Sequence, residues 1–261
     1  MKSTVDITLG EVAATLALVA LAAAVSFWRR AELEGDLGVA VLRSFLQLTA
    51  VGYVINAIFD SDSLWLVALL LAAMVAFGSA TARRRARAVP GALVPIVLAL
   101  GSAAVTTLGL ILLLNIFPAE PRYLVPVGGM VIGNSMTSAA VALNRLADEV
   151  QSQAGLIEAT LALGATARQA AAGLVTRSLR SGMIPLIDST KTTGIVFFPG
   201  TMVGMLIAGA DPVDAVRLQL ILLWSLLGSV ALAALIAVSL GYRGFFTPAH
   251  QLREMPLSSA P

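Results

Sequence analysis

The sequence predicts an all-α polytopic membrane protein of about seven transmembrane helices, with the N-terminus outside and the C-terminus in the cytosol. Three observations carry that reading. The chain of 261 residues is 58% hydrophobic and only 12% charged, where a soluble domain carries about a quarter charged residues. Its apolar residues run in blocks long enough to cross ~30 Å of hydrocarbon as helix, which takes roughly 20 residues; barrel strands would be ~10 residues and alternating. Lys and Arg collect in cytoplasmic loops, and here arginine gathers at every second block end.

The elements follow in order. Span one, Leu9–Trp28, is closed by Arg29 and Arg30. The stretch Thr8–Trp28 is too long for a cleavable signal peptide, its positive charge follows rather than precedes it, and no small-residue cleavage site is evident. Span two, Leu37–Phe59, ends in a short outer turn, Asp60-Ser61-Asp62-Ser63. Span three, Leu64–Ala82, is followed by Arg83, Arg84, Arg85 and Arg87, and span four, Gly91–Phe117, by the turn Pro118-Ala119-Glu120-Pro121. Span five, Tyr123–Leu146, leads into a long polar segment, about 147–182, carrying Arg168, Arg177 and Arg180. Span six, Pro185–Gly209, turns at Ala210-Asp211-Pro212 into span seven, Ala215–Leu240. The outer ends hold Lys2, Arg122 and Arg217 among the acids Asp6, Asp60, Asp62, Glu120, Asp211 and Asp214. The whole of 1–261 reads as one transmembrane domain. Its tail, about 243–261, holds Pro248, Pro256 and Pro261 and reads as loosely ordered and flexible.

Only the segment between spans five and six is long, and connections of that size are usually functional or structured. Leu156, Thr160, Leu163, Ala167, Ala170, Leu174 and Ser178 recur at helical spacing within it. Gly164 interrupts the pattern, and Thr166-Ala167-Arg168-Gln169 fits a capping box. The expectation is a short helix, a sharp Gly164-Ala165 turn and a second helix ending near Ser181-Gly182. Pattern alone is equally met by an amphipathic helix lying on the headgroups. The wording favours another reading. Glu158-Ala159-Thr160, then Gly164 four residues on, resembles the Glu-Ala-Ala…Gly coupling motif of ATP-binding-cassette (ABC) permeases. It departs from the importer pattern in carrying Thr160 and in placing Ile184-Pro185 farther downstream.

Two flanking strings tighten the likeness. Pro126-Val127-Gly128-Gly129-Met130-Val131-Ile132-Gly133-Asn134-Ser135-Met136 and Ile187-Asp188-Ser189-Thr190-Lys191-Thr192-Thr193-Gly194 are similar to those of the FetB-like permease family, which includes bacterial iron-export and plant aluminium-tolerance permeases. The resemblance runs from span two to span seven. It implies a homodimeric membrane subunit worked by two copies of a separate ABC ATPase, with ATP and magnesium on that partner. It further implies that Glu158, Ala159, Gly164, Thr166 and Arg168 form the ATPase-coupling elbow, and that the cargo is a metal ion, iron export being the leading assignment.

Ionisable groups inside spans cost ~2.5–3.5 kcal/mol or more in lipid and are functional candidates. Arg43 and Gln47 share one face of span two; an orientation anchor and a lining of the path are both open. Asp188 and Lys191, three apart, pair on span six, either fixing the junction of lever and span or gating the cargo, with Ser189, Thr190 and Thr192 around them. Asn134 and Ser135 lie deep in span five among Gly128, Gly129 and Gly133, as close-packing residues or as the lining of a translocation path. Pro199-Gly200 interrupts span six, and broken helices often mark transport sites. Met130, Met136, Met202 and Met205 lie near these breaks; core filling is the first reading of soft ligands so placed.

Several classes are excluded or disfavoured. There is no cysteine, hence no disulfide framework or thiolate metal site. A formal charge of +2 gives no case for nucleic acid. No Gly-x-x-x-x-Gly-Lys-Ser/Thr phosphate loop is present, so ATP chemistry would belong to another polypeptide. The protein is expected to be a permease rather than an enzyme. An ion-gradient-driven secondary transporter or channel is the alternative, and a membrane scaffold or assembly protein the third.

Overall fold

A computed structural model describes residues 9–61 and 63–253. Lys2, Asp6 and Asp62, used above for sidedness, and the tail beyond Arg253 lie outside the described residues. The chain folds as α1 (Leu9–Arg29), α2 (Glu34–Ser61), α3 (Leu64–Arg85), α4 (Leu93–Leu113), α5 (Pro121–Ser152), α6 (Ala154–Ala162), α7 (Ala167–Thr192), α8 (Gly200–Ile207) and α9 (Pro212–Gly241). A 3₁₀ turn, Tyr242–Phe245, follows. Among the described residues, six helices are long and apolar enough to cross a membrane: α1 to α5 and α9. The protein is all-helical, multi-pass and membrane-embedded.

α5 is the central post. It packs against α3, α4, α7 and α9, while α1 and α2 pair mainly with each other at the side. Small residues allow the close approach. Ala139, Ala142 and Leu143 of α5 and Ala233, Ala234 and Ala237 of α9 are fully buried. A Cβ on Gly182 would lie 2.8 Å from Ala142 Cβ and 2.9 Å from the Ser138 carbonyl oxygen, so α7 touches α5 backbone to backbone. The Ser138 hydroxyl donates across that crossing to the Gly182 carbonyl at 2.8 Å.

Four expectations change. First, α5 does not stop at Leu146. Its 32 residues make about 48 Å of helix at 1.5 Å per residue, well over a ~30 Å hydrocarbon core, so it runs straight into the polar segment. Second, the helix after the Gly164 turn does not end at Ser181-Gly182. It continues through Pro185 to Thr192, because a proline costs one backbone hydrogen bond without obliging the chain to turn.

Third, the interruption expected in span six at Pro199-Gly200 starts earlier, after Thr192. Residues 193–199 form an irregular turn in which Gly194 takes φ +86. Its amide donates to the Phe197 carbonyl at 2.9 Å, and Pro199 caps the short α8. The break therefore begins six residues before the Pro199-Gly200 pair. The threonine hydroxyls before it bond back to their own helix, Thr192 to the Asp188 carbonyl and Thr193 to that of Ser189, a competition with the backbone that disfavours continued helix. Fourth, residues 242–253 of the supposedly loose tail are packed. Phe245 is fully buried and Phe246 nearly so, and the loop closes on itself through Thr247 N to Gln251 O at 2.8 Å and Arg253 N to Phe245 O at 2.8 Å.

Candidate functional site

The polar segment builds an elbow at the end of the molecule where α3, α5 and α9 finish. α6 is a nine-residue helix. Gly164 then takes φ +90, with open space where a side chain would stand, so the reversal needs glycine for its backbone angle and not for room. α7 restarts with the expected capping box: the Gln169 amide donates to Thr166 Oγ1, and Gln169 Oε1 accepts from the Thr166 amide at 2.8 Å. Ile157 and Ala167 are buried and hold the elbow to the bundle, while Glu158, Ala159, Gly164, Thr166 and Arg168 are all exposed. Leu163, at the tip, is 90% exposed.

Two features that sequence reasoning missed hold this elbow in place. Glu149, near the end of α5, is 5% exposed. It accepts from Arg145 Nη2, from Gln153 Nε2 at 2.6 Å and from Arg177 Nε of α7 at 2.8 Å. A buried carboxylate costs several kcal/mol unless paired and hydrogen-bonded; here both its oxygens are satisfied, and the joint ties α5 to α7. The spacing of Arg145, Glu149 and Gln153 was a visible signal, since i,i+4 neighbours meet on a helix; Arg177 was not. The second feature is His250. It lies in the segment that reads as a loose tail, yet its Nδ1 accepts from the Ala167 amide at 3.3 Å, capping an N–H of α7 that would otherwise have no partner. Loop and elbow flank an open cleft of about 520 Å³, lined by Glu158, Gly164, His250 and Gln251 among others.

Farther along α7, Asn134, Thr137 and Ser138 of α5 meet Pro185 and Ser189 of α7 around a cleft of about 160 Å³. The structure thus brings Asn134 and Ser189 together. It does not bring Ser135 with them: Ser135 is fully buried elsewhere on α5, its hydroxyl unpartnered. Asp188 and Lys191 do pair, at 3.7 Å, on an exposed face at 64% and 70%. Thr190 bonds back to the Leu186 carbonyl at 2.7 Å. Arg43 and Gln47 are exposed on α2, away from the cleft. Among the described residues no group of three His, Cys, Asp or Glu stands together as a metal site.

The family model of the Uncharacterised protein family UPF0014 matches residues 9–246. The chain is 36% identical over 248 residues to the "Probable iron export permease protein FetB" of Escherichia coli, covering 95% of both chains. It is 38% identical to "Protein ALUMINUM SENSITIVE 3" of Arabidopsis thaliana, covering 95% of this chain and 90% of that one. It is 37% identical to the "UPF0014 membrane protein YjkA" of Bacillus subtilis, covering 91% and 94%. No solved structure matches it. Near-complete coverage of relatives whose names describe membrane proteins and a permease agrees with six membrane-length helices, and the chain belongs to the UPF0014 family of membrane proteins.

Proposed function

We propose that this protein is the membrane subunit of an ABC transporter that exports a small cargo, a metal ion with iron foremost, driven by two copies of a separate ATPase. The observation that carries the reading is the elbow. A leucine left 90% exposed at the tip of a helix–glycine–helix projection, with the exposed Glu158 five residues before it, is a knob that needs a socket. The name of the Escherichia coli relative supplies the cargo class.

α7 supplies the transmission. Its 26 residues are about 39 Å of unbroken helix, from the elbow to the break at Gly194. Closure of the ATPase pair on nucleotide binding pushes the elbow, Glu149 keeps lever and post in register, and the far end of α7 moves relative to α5. The cleft they share, with Asn134, Thr137 and Ser189, then opens and closes to the cargo. Its donors are neutral oxygens, which suit a hard cation held briefly rather than tightly.

A second copy completes the particle. Arg43 lies nine residues into α2, about 14 Å along the helix, and is exposed with no ion-pair partner among the described residues. An arginine at that depth is costly against lipid, which favours a second protomer covering α2.

The test is co-purification with candidate ATPases. The wild-type chain retains one and stimulates its hydrolysis in the presence of cargo. Burying a leucine is worth ~1.5–3 kcal/mol, so Leu163→Asp weakens retention about tenfold or more while leaving the chain folded. Transport that needs no ATP and collapses with the proton gradient would overturn the reading.

A further inference from the structure

Between Asp62 and Glu120 the chain has no carboxylate, yet it has four arginines, Arg83, Arg84, Arg85 and Arg87. Three of them, Arg83, Arg84 and Arg87, line a single cleft of about 370 Å³ together with Ala80 and Leu93. All three are exposed, and none makes an ion pair among the described residues. The backbone beneath them is fixed. Ala82, Ala86 and Val89 are at most 4% exposed. The following turn is clamped against the C-terminal 3₁₀ turn, where a Cβ on Gly244 would fall 2.2 Å from the Pro90 carbonyl oxygen.

Two simpler roles explain less than this. Arginines in the last turn of α3 complement its dipole, but Arg87 lies beyond the helix end and opens on the same cleft. A topology signal needs positive charge, not convergence on a cavity. What the cleft offers is three guanidiniums at a helix exit, with an apolar floor on the side of the spans. Guanidiniums bind phosphate oxygens in pairs of parallel hydrogen bonds, and basic pockets between spans hold anionic headgroups.

We infer that Arg83, Arg84 and Arg87 form a binding site for the phosphate headgroup of an anionic membrane phospholipid, with Ala80 and Leu93 against the start of its acyl chains. Lipid bound there fixes the α3–α4 turn at the end of the molecule that also carries the elbow.

The test uses the full-length protein in detergent, with native mass spectrometry after addition of phosphatidylglycerol or phosphatidylcholine. Phosphatidylglycerol adducts are retained preferentially by the wild type. At about 1 kcal/mol per basic residue, the triple variant Arg83→Gln, Arg84→Gln, Arg87→Gln retains them at least tenfold less. The triple Arg→Lys variant keeps the charge and so the topology, but loses the paired hydrogen bonds and falls between the two. Should the glutamine variant fail to insert, the lysine variant alone decides. Equal adducts on wild type and lysine variant, or equal retention of the two lipids, overturns the site. Millimolar inorganic phosphate leaves the adducts in place if a lipid is the ligand; displacement by phosphate, with the same arginine dependence, overturns the lipid as its source. Loss of ATPase retention in the glutamine variant with lipid binding unchanged assigns the patch to the protein partner and also overturns it.

Discussion

Glu149 is the one charged side chain in the buried set among the described residues, and it sits where post and lever meet. Removing it leaves Arg145 and Arg177 without their common partner. Breaking a buried pair costs roughly 3–5 kcal/mol; both arginines are about half exposed, at 49% and 46%, and can turn to water, so Glu149→Ala should fall at the low end. A thermal melt in detergent checks this, and the same variant should hydrolyse ATP with its partner while exporting less cargo per ATP. Gly182 is the second critical residue. Any side chain there meets the Ala142 Cβ and the Ser138 backbone, neither of which can yield, so Gly182→Val should cost about 1–3 kcal/mol by overpacking and lower the melting temperature. Both residues were within reach of the sequence only in part. The helical spacing of Arg145 and Glu149 is local; the Arg177 contact and the α5–α7 crossing are made by tertiary packing across 28 to 44 positions.

At the scale of elements, the elbow was legible and its support was not. A capping box and a glycine reversal are settled by a few neighbouring residues, so the Gly164 turn and the restart at Thr166 stand where the pattern put them. Gly164→Ala keeps every contact, since nothing lies within 4 Å of the added carbon, yet forces a left-handed alanine at about 1–2 kcal/mol. The expected outcome is an ATPase that still binds but drives export poorly, measured as cargo moved per ATP. The tail read as loose because it holds Pro248 among small polar residues; in the fold Phe245 fills the core, and His250 reaches back to Ala167. A hydrogen bond of this kind is worth about 0.5–1.5 kcal/mol, so His250→Ala should speed hydrogen exchange at the Ala167 amide several-fold without changing that of α9. The break in span six was legible at Pro199-Gly200, but not its earlier start after Thr192. Apolar content marks a segment as buried in lipid, but the left-handed Gly194 and the back-bonding threonines decide whether its backbone stays helical.

For the whole molecule, long apolar blocks and alternating arginines made the polytopic helical class plain, and the order of motifs made the family plain. What linear order does not reveal is that the C-terminal loop meets both the turn after α3, through Gly244 and Pro90, and the elbow, through His250 and Ala167. The central claim is that the elbow takes force from a cytosolic ATPase. The chain contains no cysteine, so Leu163→Cys places a unique thiol at the elbow tip. The direct measurement is its labelling by a membrane-impermeant thiol reagent. The account predicts no labelling from outside intact cells, rapid labelling in inverted vesicles stripped of the ATPase, and protection when the ATPase is restored. Labelling from the outside, or labelling in inverted vesicles that the ATPase leaves unchanged, would contradict it.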